Sequence, residues 1–260
     1  MDLERLRTWL TDARTPTGAW GYGPGAEPAA EPTLMAVAAG LPAPLDWLDR
    51  DLGWAETLVP AAVAPGDGDA RRERAVAAIL AAKGEAIEDN TSGTFDGKLI
   101  GWSWVPGTFS WVEPTSWAIV GLCAAGHGGH ARVNQGREVL LDRACADGGY
   151  NFGSPDALGQ DLPSYPHSTA IALLALPSGD VANRALDRLA AHLTERSSAY
   201  ALALAVLAGL RHGRDVAPWL AALGARQRAD GALTGRVHVD ALAAIAGAGA
   251  PHPFLGVPLA

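Results

Sequence analysis

A phrase that the chain repeats limits its fold more than any other feature. "VEPTSWAIVGL" (112–122) opens on a polar stub and runs into a segment with no polar face. Pro114 suits the first helical position, where a missing amide costs nothing, and Glu113 before it is biased toward extended backbone. Thr115 stands where it can satisfy a free amide of the first turn, and Glu113 stands where the positive end of the helix dipole favours an anion. A helix apolar on all sides must be enclosed by protein or membrane, and about a dozen residues is too short to span a bilayer. Glu113 is therefore expected at the mouth of a buried helix.

The phrase recurs. "AEPTLMAVAAG" (30–40) puts Glu31 on Glu113 and Thr33 on Thr115, and "PHSTAIALLAL" (166–176) puts His167 and Thr169 in those places. "VHVDALAAIAG" (237–247) is a weaker copy with His238 in the Glu slot, and "AETLVPAAVAP" (55–65) would put Glu56 there, with Pro60 inside it. Before most copies comes a glycine and aromatic turn: "TGAWGYG" (17–23), "LIGWSW" (99–104), "DGGYNFG" (147–153) and "DGALTG" (230–235). Amphipathic segments such as "DARRERAVAAILAAK" (69–83) and "VANRALDRLAAHL" (181–193) precede these turns. Such internal repeats define the architecture: amphipathic helices outside, apolar helices inside.

The hairpins pair 2–12 with 32–41, 44–52 with 54–64, 69–83 with 114–126, 130–144 with 167–176, 180–195 with 197–211, and 215–228 with 238–249. An open solenoid needs polar caps on its terminal repeats, and the first and last inner segments here are as apolar as the middle ones. The expected fold is all-α, a closed (α/α)6 toroid forming one domain over 1–260.

These phrases, "GAWGYGPGAEPAAEPTLMAVAAG", "GWSWVPGTFSWVEPTSWAIVGL" and "CADGGYNFGSPDALGQDLPSYPHSTAIALLAL", make the chain resemble the α/α-toroid family of squalene and terpene cyclases and protein prenyltransferase β subunits. It is most similar to the short bacterial proteins with prenyltransferase or squalene oxidase repeats. The resemblance implies isoprenoid chemistry, although one fold hosts many activities. Class II cyclases of this family protonate an alkene with an Asp-x-Asp-Asp motif, which is absent here; "DWLDRDLG" (46–53) offers Asp49 and Asp51 without the second adjacent Asp. Prenyltransferase β subunits bind zinc through Asp, Cys and His. Cys145, Asp147 and His167 are of the right types, but their order and spacing do not match. No cofactor is therefore expected, zinc or magnesium being the metals to test.

If all the stubs fall at one end, Glu31, Glu113, His167 and His238, with Glu56, surround one mouth. Helix N-termini attract an anion such as diphosphate and carboxylates repel it, so the two tendencies conflict. Crowded carboxylates beside imidazoles would have raised pKa values and suit acid/base catalysis. The bland reading is that each Glu only complements a helix dipole. Trp104, Trp111, Trp117, Tyr150 and Tyr165 are the candidate walls of an isoprenoid cavity, against the alternative that such aromatics staple outer to inner helices. The expected function is an isoprenoid-handling enzyme resembling a terpene cyclase or prenyltransferase. The alternative is an inactive toroid that binds a lipid or a protein partner.

The formal net charge of −8 argues against a nucleic-acid partner. No signal peptide is expected from "MDLERLRTWL", which opens with alternating charge, and no apolar run is long enough for a transmembrane segment. Two cysteines, Cys123 and Cys145, make no disulfide framework. Cytoplasm is the default location, and the preference for Arg over Lys with abundant Ala and Gly suggests a GC-rich bacterium. The loop 84–112 is the longest connection and the expected lid or specificity element.

Overall fold

The computed structural model describes residues 1–45, 69–88, 90, 93–249 and 252. Among these residues lie ten helices: α1 Leu3–Asp12, α2 Ala30–Ala38, α3 Asp69–Ala81, α4 Val112–Ala124, α5 Ala131–Asp142, α6 Pro166–Ala175, α7 Asp180–His192, α8 Ala199–Arg211, α9 Ala217–Gly224 and α10 Val237–Ala248. A two-residue hairpin, β1 Asp156–Ala157 with β2 Gln160–Asp161, interrupts the loop before α6. Leu158 and Gly159 at its tip both have positive φ, 52° and 75°, which suits the tight twist of a two-residue turn.

Five helices carry the apolar phrases and are buried nearly all round: α2, α4, α6, α8 and α10. They pack side by side in the order α4, α6, α8, α10, α2, so the last inner helix lies against the first. The expected hairpin 44–52 with 54–64, including Glu56, Asp49 and Asp51, lies outside the described residues from position 46 onward.

Hairpin pairing differs from the expectation in phase. The more extensive contact of an outer helix is with the inner helix before it: α5 on α4, α7 on α6, α9 on α8. Connections 125–130, 176–179 and 212–216 are short and make antiparallel neighbours, whereas 13–29, 82–111 and 143–165 are long loops. The outer partner of α10 is α1, from the opposite end of the chain. There the Asp2 amide donates to Gln227 Oε1 (2.7 Å), Gln227 Nε2 donates to Asp2 O (2.7 Å), and Arg5 Nη2 donates to Ala229 O (2.6 Å). His252 Nε2 returns to Ala38 O at the end of α2 (3.0 Å).

The repeat threonines are staples and not helix caps. Thr33 Oγ1 accepts from the Trp20 amide (3.0 Å) and donates to its carbonyl (3.0 Å). Thr115 does the same to Trp102 (3.0 and 3.3 Å), and Thr169 to Tyr150 (2.9 and 3.3 Å). In the fourth copy Asp240 takes over, accepting from the amides of Leu233, Thr234 and Gly235. The loop aromatics complete the tie: Trp20 Nε1 donates to Leu10 O (2.6 Å) and Trp102 Nε1 to Ile79 O (2.7 Å), each at the end of an outer helix. Gly101 is required by this closeness, because a Cβ there would stand 2.5 Å from Thr115 Oγ1. Each Gly-aromatic loop is thus fixed to the first turn of an inner helix, which is where the site lies.

Candidate functional site

Helix α4 begins at Val112, so Glu113 is its second residue and not the residue before it. Pro114 is tolerated within the first turn, whose amides have no helical acceptor. The same second position is held by Glu31 in α2, His167 in α6, Tyr200 in α8 and His238 in α10. Four of the five line one cavity of about 560 Å³, together with Tyr22, Trp104 and Val239. One helical turn deeper, at i+4, stand Met35, Trp117 and Leu242, which also line it. The repeat therefore builds a polar ring above an apolar layer.

Two carboxylate and phenol pairs form the ring. The Tyr22 hydroxyl donates to Glu31 Oε2 (2.7 Å), and the Tyr200 hydroxyl donates to Glu113 Oε1 (3.2 Å). Trp117 hydrogen-bonds the Tyr200 hydroxyl as well, so one residue of the floor orients one of the rim. Tyr22 meets His238 edge-on, with ring centroids 5.3 Å apart. Burial raises the Glu31 pKa, an effect that the Tyr22 hydrogen bond partly offsets. Burial likewise carries the Tyr200 phenol well above its ordinary range, reinforced by the charges of Glu113 and Glu31. Tyr200 therefore stays protonated and remains a donor to Glu113.

Of the residues singled out in the sequence, Glu31, Glu113, His238, Trp104 and Trp117 are brought together here. His167, Trp111 and Tyr165 stand elsewhere. Trp111 and Tyr165 line a separate shallow recess of about 200 Å³ with Phe152, and His167 lies 5.6 Å from Phe152 and 6.2 Å from Tyr165 between ring centroids. Burial lowers the His167 pKa, which favours the neutral imidazole. Tyr150 is fully buried against the core, with its backbone held by Thr169.

The set Cys145, Asp147 and His167 is not assembled: among the described residues no group of three or more His, Cys, Asp or Glu side chains is placed to hold a metal. Asp147 instead accepts from the Gly149 amide, from Ser164 and from Arg188. Burial first, and then the Asp147 charge, push the Cys145 thiol up to about 11. The described part of the loop expected as a lid is pinned by Gly84 N to Gly101 O (3.1 Å), Ile87 N to Gly97 O (2.9 Å) and Arg132 to the carbonyls of Ala82, Ile100 and Gly101. It delivers Trp104 to the cavity.

Sequence reasoning missed Tyr22 and Tyr200. Tyr200 occupies the second position of an inner helix that lacks the Pro-Thr stub, so its equivalence to Glu113 emerges only when the helix starts are superposed. Tyr22 lies two residues beyond the stapled Trp20, in a loop read only for its turn.

No protein-family model matches the chain, and no curated protein matches it. Among solved structures it is similar to the type II terpene cyclase MstE from Scytonema. The apo form aligns at 16% identity and a TM-score of 0.44 over 86% of this chain and 62% of that one. A variant of the cyclase in complex with its substrate, geranylgeranyl dihydroxybenzoate, aligns at 14% identity and 0.43, covering 89% and 65%. A further variant, with its product merosterolic acid A, aligns at 14% and 0.40, covering 86% and 62%. The chain thus spans less than two thirds of the length of these structures.

Proposed function

We propose that the chain is an isoprenoid-handling enzyme that moves protons on an unsaturated apolar chain held in the central cavity. The observation that carries this reading is the pairing of two tyrosine-held carboxylates, Glu31 and Glu113, over an apolar floor of Met35, Trp117 and Leu242. A cavity of about 560 Å³ is of ligand-binding size. Glu31, its pKa raised by burial, is the group suited to deliver a proton to a carbon–carbon double bond. The cation so formed is attacked by a second double bond of the same chain or shifts its own, and Glu113 takes a proton from the adjacent carbon. One proton enters and one leaves, so the product is an isomer and no oxidant, reductant or ionised leaving group is needed. Faces of Trp104 and Trp117 would stabilise the positive charge by about 0.5–2 kcal/mol each. Closure of the inner helices into a six-hairpin ring over 1–260 belongs to the same proposal.

A diphosphate substrate fits less well, because no Lys or Arg is among the described residues that line the cavity. Incubation of linear polyprenes with the protein in D2O tests the reading. Isomeric products carrying one deuterium, lost in Glu31→Gln, are expected; recovery of every polyprene unchanged and unlabelled would overturn it.

A further inference from the structure

We infer that the shallow recess lined by Trp111, Phe152 and Tyr165 is a docking groove for an extended, proline-rich segment of a partner protein. It stands apart from the central cavity and from the chemistry proposed there. Trp111 is backed by Phe109, with ring centroids 4.4 Å apart, and Phe152 pairs with Tyr165 at 5.2 Å in a row that His167 continues. Leu162 and Pro163 also line the recess, and no charged side chain among the described residues does. Phe152 and Tyr165 are 48% and 39% exposed, so an aromatic surface faces water here. The hairpin of β1 and β2 extends that surface. It springs from the recess wall, where the Leu162 amide donates to Pro155 O (2.8 Å), and the Thr94 amide pins its first residue by donating to Asp156 Oδ1 (2.8 Å). At its tip Leu158 is 83% exposed in left-handed backbone, where Asn, Asp or Gly is the ordinary choice. An exposed leucine in unfavourable backbone, on a hairpin held at its base, points to a contact surface.

Hydrogen bonding selects the occupant. Among the described residues the Trp111 indole N–H, the Tyr165 hydroxyl and the His167 ring have no hydrogen-bond partner. The Asn151 side chain, also on the recess, is fully used: its oxygen accepts from the Gly153 and Ser154 amides (2.9 and 3.1 Å), and its nitrogen donates to Ser154 O (2.7 Å). The groove therefore offers donors, led by an indole that can only donate, and little to accept from a partner's amides. An ordinary extended strand would bury N–H groups there without acceptors. A run of prolines brings carbonyls and no N–H, is already extended in the polyproline II conformation, and presents apolar rings to aromatic walls. A lipid tail would leave the donors unmet.

Isothermal titration calorimetry of the whole protein with acetylated decaproline, and with a glycine and serine peptide of the same length, tests the inference. Saturable binding of decaproline alone is expected, weakened about tenfold or more by Tyr165→Ala and by Phe152→Ala. Leu141→Ala, which removes an exposed leucine of α5 outside the recess, should leave it unchanged. The side-chain indole NMR resonance of Trp111, assigned by its loss in Trp111→Phe, should also shift when decaproline is added to the parent, a readout that survives if a variant fails to fold. Absence of both heat and shift with decaproline would overturn the inference, and so would equal binding of the glycine and serine peptide. Undiminished affinity in both Tyr165→Ala and Phe152→Ala would overturn it as well, as would an indole shift produced by phosphatidylcholine vesicles and not by the peptide.

Discussion

Glu31 is a destabilising residue kept at a cavity mouth. Its side chain is half-buried, which raises the carboxyl pKa, and the Tyr22 hydroxyl compensates only in part. Because its folded-state pKa lies above the ordinary carboxylate value, the native state holds a proton over a pH interval in which the unfolded chain has released it. Stability is therefore greatest below the ordinary carboxylate range and declines as pH rises through the raised pKa. Glu31→Gln keeps an oxygen to accept from Tyr22 and removes the buried charge. The variant should melt at a higher temperature than the parent at neutral pH, with the gain shrinking as pH falls toward the ordinary carboxylate range, as followed by circular dichroism. A gain that persisted unchanged at acid pH would mean that Glu31 is not the origin of the effect. Such a residue, costly to stability and placed on a cavity, is what acid/base work requires.

At the level of the element, four of the five described inner helices, α2, α4, α6 and α10, are each positioned by a threonine or aspartate that grips the loop before it. Thr115 satisfies both the amide and the carbonyl of Trp102, and no water reaches either Thr115 or Trp102. Thr115→Val keeps the shape and strands a buried amide, at a cost of about 1–3 kcal/mol. For a chain of this size the melting temperature should fall by about 2–4 °C per kcal/mol. Thr115→Ser retains the hydroxyl and should lose less; equal loss in both variants, measured by calorimetry, would refute the staple. The sequence alone suggested a cap for Thr115, because a polar residue at a helix start looks the same whether its partner is local or 13 residues upstream. The signal was nevertheless present: Trp20 to Thr33 has the same separation of 13 as Trp102 to Thr115.

Across the whole molecule, periodicity and repetition made the inner and outer helices legible, since a helix without a polar face has one place to go. The phase of the hairpins was not, because repeat matching does not say whether an outer helix leans on the inner helix before or after it. Connection length decides that, and the docking of α1 onto α10 extends the same pairing across the two ends of the chain. Of the site, the stub residues Glu31, Glu113 and His238 were legible as a class, while His167 shares their helical position and lines a different surface. Its ring stands instead beside two aromatic side chains of its own loop, Phe152 and Tyr165. On the proposed reading the gathered first turns enclose a cavity for an isoprenoid chain, and Trp104 and Trp117 in its wall report on it directly. A tryptophan-fluorescence titration with squalene is the measurement of choice. Saturable quenching, weakened in Trp117→Ala, is the predicted result; an unchanged spectrum up to the solubility limit of the polyprene would contradict the claim.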